Sequence, residues 1–163
     1  MSKGQIWSVD FIAGTLTFIF MLLIFAIAWK SLDFRWSYAE QYRQMQTDAL
    51  FAAEALIATP GEPVGWEKGD IGEARAIGIA STRAVLDPDK LSRLLAENGS
   101  YYLVKERLGV QRYQLGVEIT DLSREDILHE YGYFPTGLND SVTLDRLALL
   151  DGEPVIVRVE VWR

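Results

Sequence analysis

The feature that most constrains this chain is an uncharged apolar run over residues 11–29, FIAGTLTFIFMLLIFAIAW, close to the amino terminus. Nineteen residues in an α-helix span about 28 Å, close to the hydrocarbon thickness of a bilayer. Thr15 and Thr17 are its only hydroxyl side chains, and a helical threonine can bond back to a preceding carbonyl. The run therefore predicts a membrane-spanning helix.

A cleavable secretory signal is the alternative interpretation of this run. Such signals have an apolar region of about 7–15 residues and small residues at the cleavage site. This run is longer and ends in Ala28-Trp29-Lys30, so we predict a retained anchor. Basic residues flank it on both sides, and the excess after it, at Lys30, Arg35 and Arg43, weakly favours a cytoplasmic domain.

The composition excludes several classes of function. About 130 of the 163 residues lie outside the run, which is enough for one modest core. The net charge of −7 argues against nucleic-acid contact. The chain has no cysteine, and His129 is its single histidine, which excludes thiolate and multi-histidine metal sites. No G-x-S-x-G motif is present. We expect no catalytic residues, no metal and no cofactor.

The helical pattern continues beyond the apolar run. Apolar residues recur at helical spacings up to Leu56, and Thr59-Pro60-Gly61-Glu62-Pro63 then breaks the helix. We predict one helix over about residues 9–58, whose second half presents one face to a soluble core. Trp66 follows in a loop and is predicted to pack back on the domain.

The rest of the chain predicts two short helices and an antiparallel sheet. Asp87-Pro88 starts the first helix, and Ser100 is predicted to cap the second, over residues 101–108. Residues 112–120 alternate as a strand, and 127–133 form a weaker one. Asp151-Gly152 marks a closing hairpin. Residues 71–85 have no clear pattern. The fold class is therefore α+β, with a sheet of three or four strands.

The leader KGQIWSVDF, followed by an apolar helix, resembles the class III (prepilin-type) signal peptides of archaeal type IV pilin-like proteins. TPGxPxxW after the long helix, IGIA at residues 77–80 and the closing Val161-Trp162 are also similar to sequences of this family. The resemblance implies a leader with its cleavage region over residues 1–10 and a transmembrane and polymerisation helix over 11–30. It implies an extracytoplasmic, pilin-like α+β domain over 31–163, a long helix packed on a small antiparallel sheet.

The resemblance also assigns roles to residues of the leader. Lys3 matches the basic residue before the cut, Gly4 the residue whose carbonyl is cleaved, and Gln5 the new amino terminus. Asp10 matches the acidic residue that sets register during assembly. It lies sixth after the cut, where the family has it fifth, and one residue turns a helix by about 100°.

The function that the resemblance implies is a noncatalytic subunit, major or minor, of a cell-surface filament or its assembly complex. The implied partners are the membrane, a prepilin peptidase, other pilin-like subunits and the pilus assembly platform. The amino terminus would be cytoplasmic and the domain extracellular. Two alternatives stay open: a single-pass envelope-anchored binding or sensor module that does not polymerise, and an envelope enzyme.

Two further patterns have competing interpretations. Asn98-Gly99-Ser100 and Asn139-Asp140-Ser141 are N-glycosylation acceptors in predicted loops, although each asparagine also suits a cap or turn. The aromatic residues Trp66, Trp162 and Tyr101-Tyr102 are interpreted as core and interface anchors in preference to a ligand platform.

Overall fold

A computed structural model of the protein describes the backbone of residues 4–124, 126–137 and 140–163. It opens with one helix, α1, that runs without a break from Gly4 to Ala58. Contacts divide the chain into two compact units, the first ending at Gln41 and the second covering Tyr42–Arg163. The predicted end of the long helix, just before Pro60, is confirmed.

The described residues of the second unit form the end of α1, two short helices and six strands. Their bounds are β1 Ala80–Thr82, β2 Val85–Leu86, α2 Pro88–Ala96, α3 Tyr101–Arg107, β3 Gln114–Asp121, β4 Ile127–Gly132, β5 Ser141–Leu150 and β6 Glu153–Trp162. Short 3-10 turns lie at Trp66–Lys68, Ile71–Glu73 and Asn98–Ser100. The α+β class is confirmed.

The strands form one mixed sheet in the order β1-β2-β5-β6-β3-β4. The four longer strands pair antiparallel, as predicted. The count of three or four was too low, because β1 and β2 also join the sheet, and β2 pairs with β5 in parallel. These strands lie within 71–86 and have only three and two residues, too few for a period-2 pattern to be recognised.

The closing hairpin follows from its turn residues. Asp151 has φ 53° and Gly152 has φ 85°, the two positive values that a type I′ turn requires. The turn fixes the register that pairs Leu150 with Glu153. It sends the four alternating valines of β6 to one face, where all are at most 1% exposed: Val155, Val157, Val159 and Val161.

The core lies on that inner face of the sheet. The second half of α1 contributes small residues to it, with Ala49, Ala52 and Ala53 fully buried and Leu56 beside them. Alanine has no side chain beyond Cβ, so the helix backbone can lie close to the sheet. The predicted apolar stripe is confirmed over this part of the helix.

The TPGxPxxW and IGIA stretches pack together at the end of α1. The buried Trp66 indole donates from Nε1 to the carbonyl of Gly78 at 2.9 Å. A Cβ on Gly61 would overlap the Trp66 ring, and one on Gly78 would overlap the Thr59 carbonyl. The last carbonyls of α1 are also covered, since Ile79 N donates to Leu56 O at 2.8 Å. These glycines therefore permit one close-packed cap on the helix end.

The two short helices begin differently. Asp87 caps α2 through its carboxylate, which accepts from the amides of Asp89 and Lys90, and Pro88 occupies the first turn, as predicted. Ser100 precedes α3 but makes no side-chain cap bond, so that prediction was wrong. The 3-10 turn over Asn98–Ser100 leads directly into α3 and leaves the hydroxyl outside capping geometry.

Candidate functional site

The most exposed apolar surface is the first part of α1. In the part of the chain that the structure describes, Val9–Ser31 is the one helical segment long and apolar enough to cross a membrane, with a mean hydropathy of 2.6. Its 23 residues span about 35 Å. Every one of these residues is exposed. We call Val9–Ser31 the apolar segment.

The hydroxyl groups of this segment are all satisfied within the helix. Thr15 Oγ1 donates to Phe11 O at 2.8 Å, and Thr17 Oγ1 donates to Ala13 O at 2.9 Å. Ser31 Oγ donates to Ala28 O at 2.8 Å. Hydrocarbon cannot hydrogen bond to an unpaired polar group. Hydrocarbon or other apolar helices can therefore cover the segment without leaving a hydroxyl group unpaired.

Polar and aromatic residues mark the two ends of the apolar segment. Asp10 is exposed near the beginning. Near the other end, Trp29 contacts Phe25 with ring centroids 5.9 Å apart, and Lys30 follows, exposed. Tryptophan is enriched at membrane–water interfaces, and lysine can extend its ammonium from lipid to water. This order of residues is typical of a spanning helix.

The predicted processing residues lie at the very beginning of α1. Gly4 and Gln5 are its first two residues, and both have helical backbone. Lys3 lies outside the described residues. The cut between Gly4 and Gln5 and the assembly role of Asp10 stay predictions. Of the two glycosylation candidates, Asn98 lies in the turn between α2 and α3, and Asn139 lies outside the described residues.

A second candidate site lies at one end of the sheet. Four aromatic side chains and one amide line a depression of about 340 Å³: Tyr102, Gln114, Tyr133, Phe134 and Trp162. We call it the aromatic pocket. Tyr102 and Tyr133 are 78% and 61% exposed. Gln114 and Trp162 are cross-strand partners on β3 and β6, so two walls belong to the sheet.

Two glycines bring the remaining aromatic residues of the pocket over the sheet. Gly132 has φ 85°, and this turn lets Tyr133 N donate to Leu115 O at 3.0 Å. The Phe134 ring lies directly against Gly116, where a Cβ would stand 2.7 Å from Cε1 of the ring. Any larger residue at 116 would displace the ring. The pocket therefore depends on glycine at both positions.

Tyr101 forms the buried support behind the pocket. Its hydroxyl accepts from Leu115 N at 2.7 Å and lies 3.0 Å from Gln114 Oε1. Its ring meets the Tyr133 ring edge-on, with centroids 4.9 Å apart. Burial raises the pKa of Tyr101, opposed by its hydrogen bond to the Leu115 backbone. The contacts hold Tyr133 and Gln114 in fixed positions.

Lys105 places a positive charge beside the same aromatic residues. Its Nζ lies 5.3 Å from the Tyr101 ring centroid and 5.6 Å from that of Tyr102. The residue is 4% exposed. Burial lowers the pKa of the Lys105 ammonium, and within the described ranges the ion pairs do not include it. A cation–π contact is thus its main electrostatic support.

A polar depression of about 410 Å³ lies on the outer face of β3 and β6, and its charges are already paired. Arg158 Nε donates to Asp145 at 2.9 Å, and its Nη1 donates to Glu118 at 3.3 Å. The hydrogen bond to Asp145 is the main cause that raises the pKa of Arg158. His129 lies on the edge strand β4. Among the described residues, no group of three or more acidic or histidine side chains could hold a metal ion.

Comparison of the chain with protein-family models, with curated proteins and with solved structures found no match. Sequence reasoning identified the apolar segment but missed the aromatic pocket. Trp66 and Tyr101 are core residues as interpreted, whereas Tyr102 is largely exposed and Trp162 half-buried. The signal that points to the pocket is the Gly132-Tyr133-Phe134 step, an aromatic pair after a glycine in a strand.

Proposed function

We propose that this chain is a noncatalytic, membrane-anchored subunit of a type IV pilin-like filament or of its assembly complex. The observation that supports this best is the apolar segment, exposed along its whole length and continuous with a helix that enters a folded core. The other described residues leave this segment uncovered. A bilayer before assembly and the equivalent helices of neighbouring subunits after assembly would both cover it.

The proposed mechanism begins at the leader. A prepilin peptidase would cleave between Gly4 and Gln5 on the cytoplasmic side, and the domain would lie outside the membrane. The apolar segment would then leave the lipid and pack against the segments of neighbouring copies. Lipid tails are about as apolar as leucine side chains, so this exchange has no large hydrophobic cost. Because Thr15, Thr17 and Ser31 donate within the helix, the exchange also strands no hydroxyl.

Processing gives a direct test. The full chain is coexpressed with a prepilin peptidase, and the intact mass of the extracted protein is measured. We expect loss of residues 1–4 and a new amino terminus at Gln5. Gly4→Val should block the cut, because a β-branched side chain hinders close approach to the scissile carbonyl. The matched control is Gly14→Val, which meets no atom within 4 Å and should be cut normally. An intact amino terminus, or equal cutting of Gly4→Val, would overturn the proposal.

A second candidate function is a single-pass envelope-anchored binding module that does not polymerise. The aromatic pocket favours it, because exposed aromatic side chains held in place are typical of ligand sites. Shearing intact cells and pelleting the released filaments distinguishes the two. A filament subunit appears in the sheared fraction after processing, whereas a monomeric module stays with the membrane.

Replacing Asp10 by Asn should reduce the amount of protein in the sheared fraction only if Asp10 has the assembly role.

A further inference from the structure

We propose that the aromatic pocket is a carbohydrate-binding site that accepts a pyranose ring. A pyranose has an apolar face of C–H groups and a rim of hydroxyls. Its natural complement is an aromatic ring beside a few fixed hydrogen-bonding groups. Tyr102 and Tyr133 offer exposed rings, and Gln114 is the first residue of β3, with its Oε1 3.0 Å from the Tyr101 hydroxyl. This binding function belongs to the second unit and does not depend on the apolar segment.

The pocket is organised before any ligand arrives. Phe134 is seated on Gly116, and Trp162 Nε1 donates to Tyr133 O at 3.2 Å. Tyr133 is held edge-on by the buried Tyr101 ring. Each contact restricts a side chain that would otherwise lose rotational freedom on binding, and such preorganisation raises affinity. A surface aromatic that served only as packing would not need this support.

The polar groups of the pocket suit a ligand with hydroxyls. The Tyr101 hydroxyl lies within hydrogen-bond distance of two acceptors, Gln114 Oε1 at 3.0 Å and Leu115 O at 3.1 Å. The Gln114 amide nitrogen is a donor for the pocket. The phenol groups of the exposed Tyr102 and Tyr133 can both donate and accept. A sugar hydroxyl likewise donates and accepts, so it can pair with any of these groups. A purely apolar ligand would leave them unpaired when it excluded water.

The charge near the pocket distinguishes between ligand classes. Aromatic pockets also bind quaternary ammonium groups through cation–π contacts. Here the Lys105 ammonium already lies 5.6 Å from the Tyr102 ring centroid, and no carboxylate lines the pocket among the described residues. A second cation would be repelled. Neutral sugars and uronic acids should therefore bind, and amino sugars should bind more weakly.

The test uses the full chain in lipid nanodiscs, because common detergents carry sugar headgroups. Oligosaccharides of glucose, of galacturonate and of glucosamine are titrated and followed by ligand-observed NMR. We expect the neutral and acidic sugars to bind, and glucosamine to bind at least several-fold more weakly. Tyr102→Ala should weaken binding about tenfold, the loss of one ring-stacking contact. Its matched control is Tyr42→Ala, an exposed tyrosine on α1, which should leave affinity unchanged.

Two further variants separate the pocket from general surface effects. Gly116→Ala should abolish binding by displacing Phe134, whereas Gly137→Ala, with nothing within 4 Å of its Cβ, should not. Lys105→Gln should bring glucosamine closer to glucose in affinity. The proposal is overturned if no sugar binds, if Tyr102→Ala binds as the parent does, or if choline or an apolar peptide binds and the sugars do not. None of these readouts changes if the leader is never cut, so the outcome is distinct from that of the filament test.

Discussion

Two stretches of the same helix both present apolar side chains and yet meet opposite environments. In the apolar segment large side chains such as Phe11 and Met21 are 75% and 66% exposed. In the later stretch of α1, Ala49, Ala52 and Ala53 are fully buried against the sheet. The two stretches differ both in the amount of apolar side chain and in its pattern, since residues 11–29 carry no charge whereas Asp48 and Glu54 lie within the later stretch. A helix that is apolar on all sides is stable when lipid or other helices surround it. A helix with one apolar stripe is stable when another element packs on that face alone.

The prediction with the largest expected effect concerns substitutions in the apolar segment alone. Each arginine at the centre of a spanning helix costs about 3 kcal/mol, so Ile19→Arg with Leu22→Arg should cost about 6 kcal/mol of membrane insertion. Most of the protein should then be released from membranes by alkaline carbonate. The matched control is Gln46→Arg with Phe51→Arg, at exposed positions of the later stretch. If both pairs release the protein equally, the two stretches do not differ as described.

The second prediction concerns a substitution in the later stretch of α1 alone. Leu56 is fully buried, and truncating such a leucine to alanine costs about 3 kcal/mol. For a domain of this size we expect Tm to fall by about 12 °C, with carbonate extraction unchanged. The control is Phe51→Ala, on the exposed face of the same stretch at 68% exposure. Thermal unfolding followed by near-UV circular dichroism measures both. A comparable loss for Phe51→Ala would mean that its face is covered in the isolated chain.

The elements predicted from sequence are those with a local signal. Pro60 ends α1, Asp87 and Pro88 begin α2, and Asp151-Gly152 forms the hairpin turn. In each case the residue itself restricts the backbone or supplies the hydrogen bond, so no knowledge of the rest of the fold is needed. The apolar segment is equally local, since its length and composition alone predict a spanning helix.

The parts that escaped prediction depend on distant pairing. The parallel contact of β2 with β5 joins residues more than sixty positions apart through a single register pair, Val85 with Leu149. The aromatic pocket joins Tyr102, Tyr133 and Trp162 from a helix, a loop and a strand. No short pattern places such residues together. Gly116 and Gly132 lie at this site, but the sequence does not show which residues pack against them.

The third prediction compares the pH dependence of the stability of the core with that of membrane insertion of the apolar segment. The Tyr131 hydroxyl in the core is buried without a partner among the described residues, and burial raises its pKa, with smaller contributions from Tyr101 and Glu97. The folded state therefore keeps a proton that the unfolded state loses above pH 10. This stability is fully present below pH 10 and is lost as pH rises, by about 1.4 kcal/mol per pH unit. The apolar segment contains no tyrosine, so its membrane insertion should lack this dependence.

Tyr131→Phe should make the alkaline loss of stability shallower, by about 0.7 kcal/mol per pH unit at pH 10 and approaching about 1.4 kcal/mol per pH unit at pH 11. Urea unfolding at several values between about pH 9.5 and 11, a range that brackets the ordinary tyrosine pKa of about 10, measures this slope. Tyr101, whose pKa is also raised, and Lys105, whose lowered pKa acts in the opposite direction, are present in both proteins. The control is Val159→Ala, a core variant without a titrating group, which should lower stability and keep the slope. An unchanged slope in Tyr131→Phe would contradict the prediction.

The smallest expected effect lies at the rim of the later stretch. Glu54 on α1 pairs with Arg146 of β5 at 3.4 Å and with Arg83 at 3.8 Å, and its side chain is 41% exposed. Water solvates all three groups when the pairs are broken, so Glu54→Gln should cost less than about 1 kcal/mol, and less still in 1 M salt. At the centre of a membrane-spanning helix a charge change costs several times more, because no water reaches the hydrocarbon core. Urea unfolding at low and high salt tests this. A salt-independent loss above about 2 kcal/mol would show that Glu54 is desolvated, and the later stretch would then resemble the first.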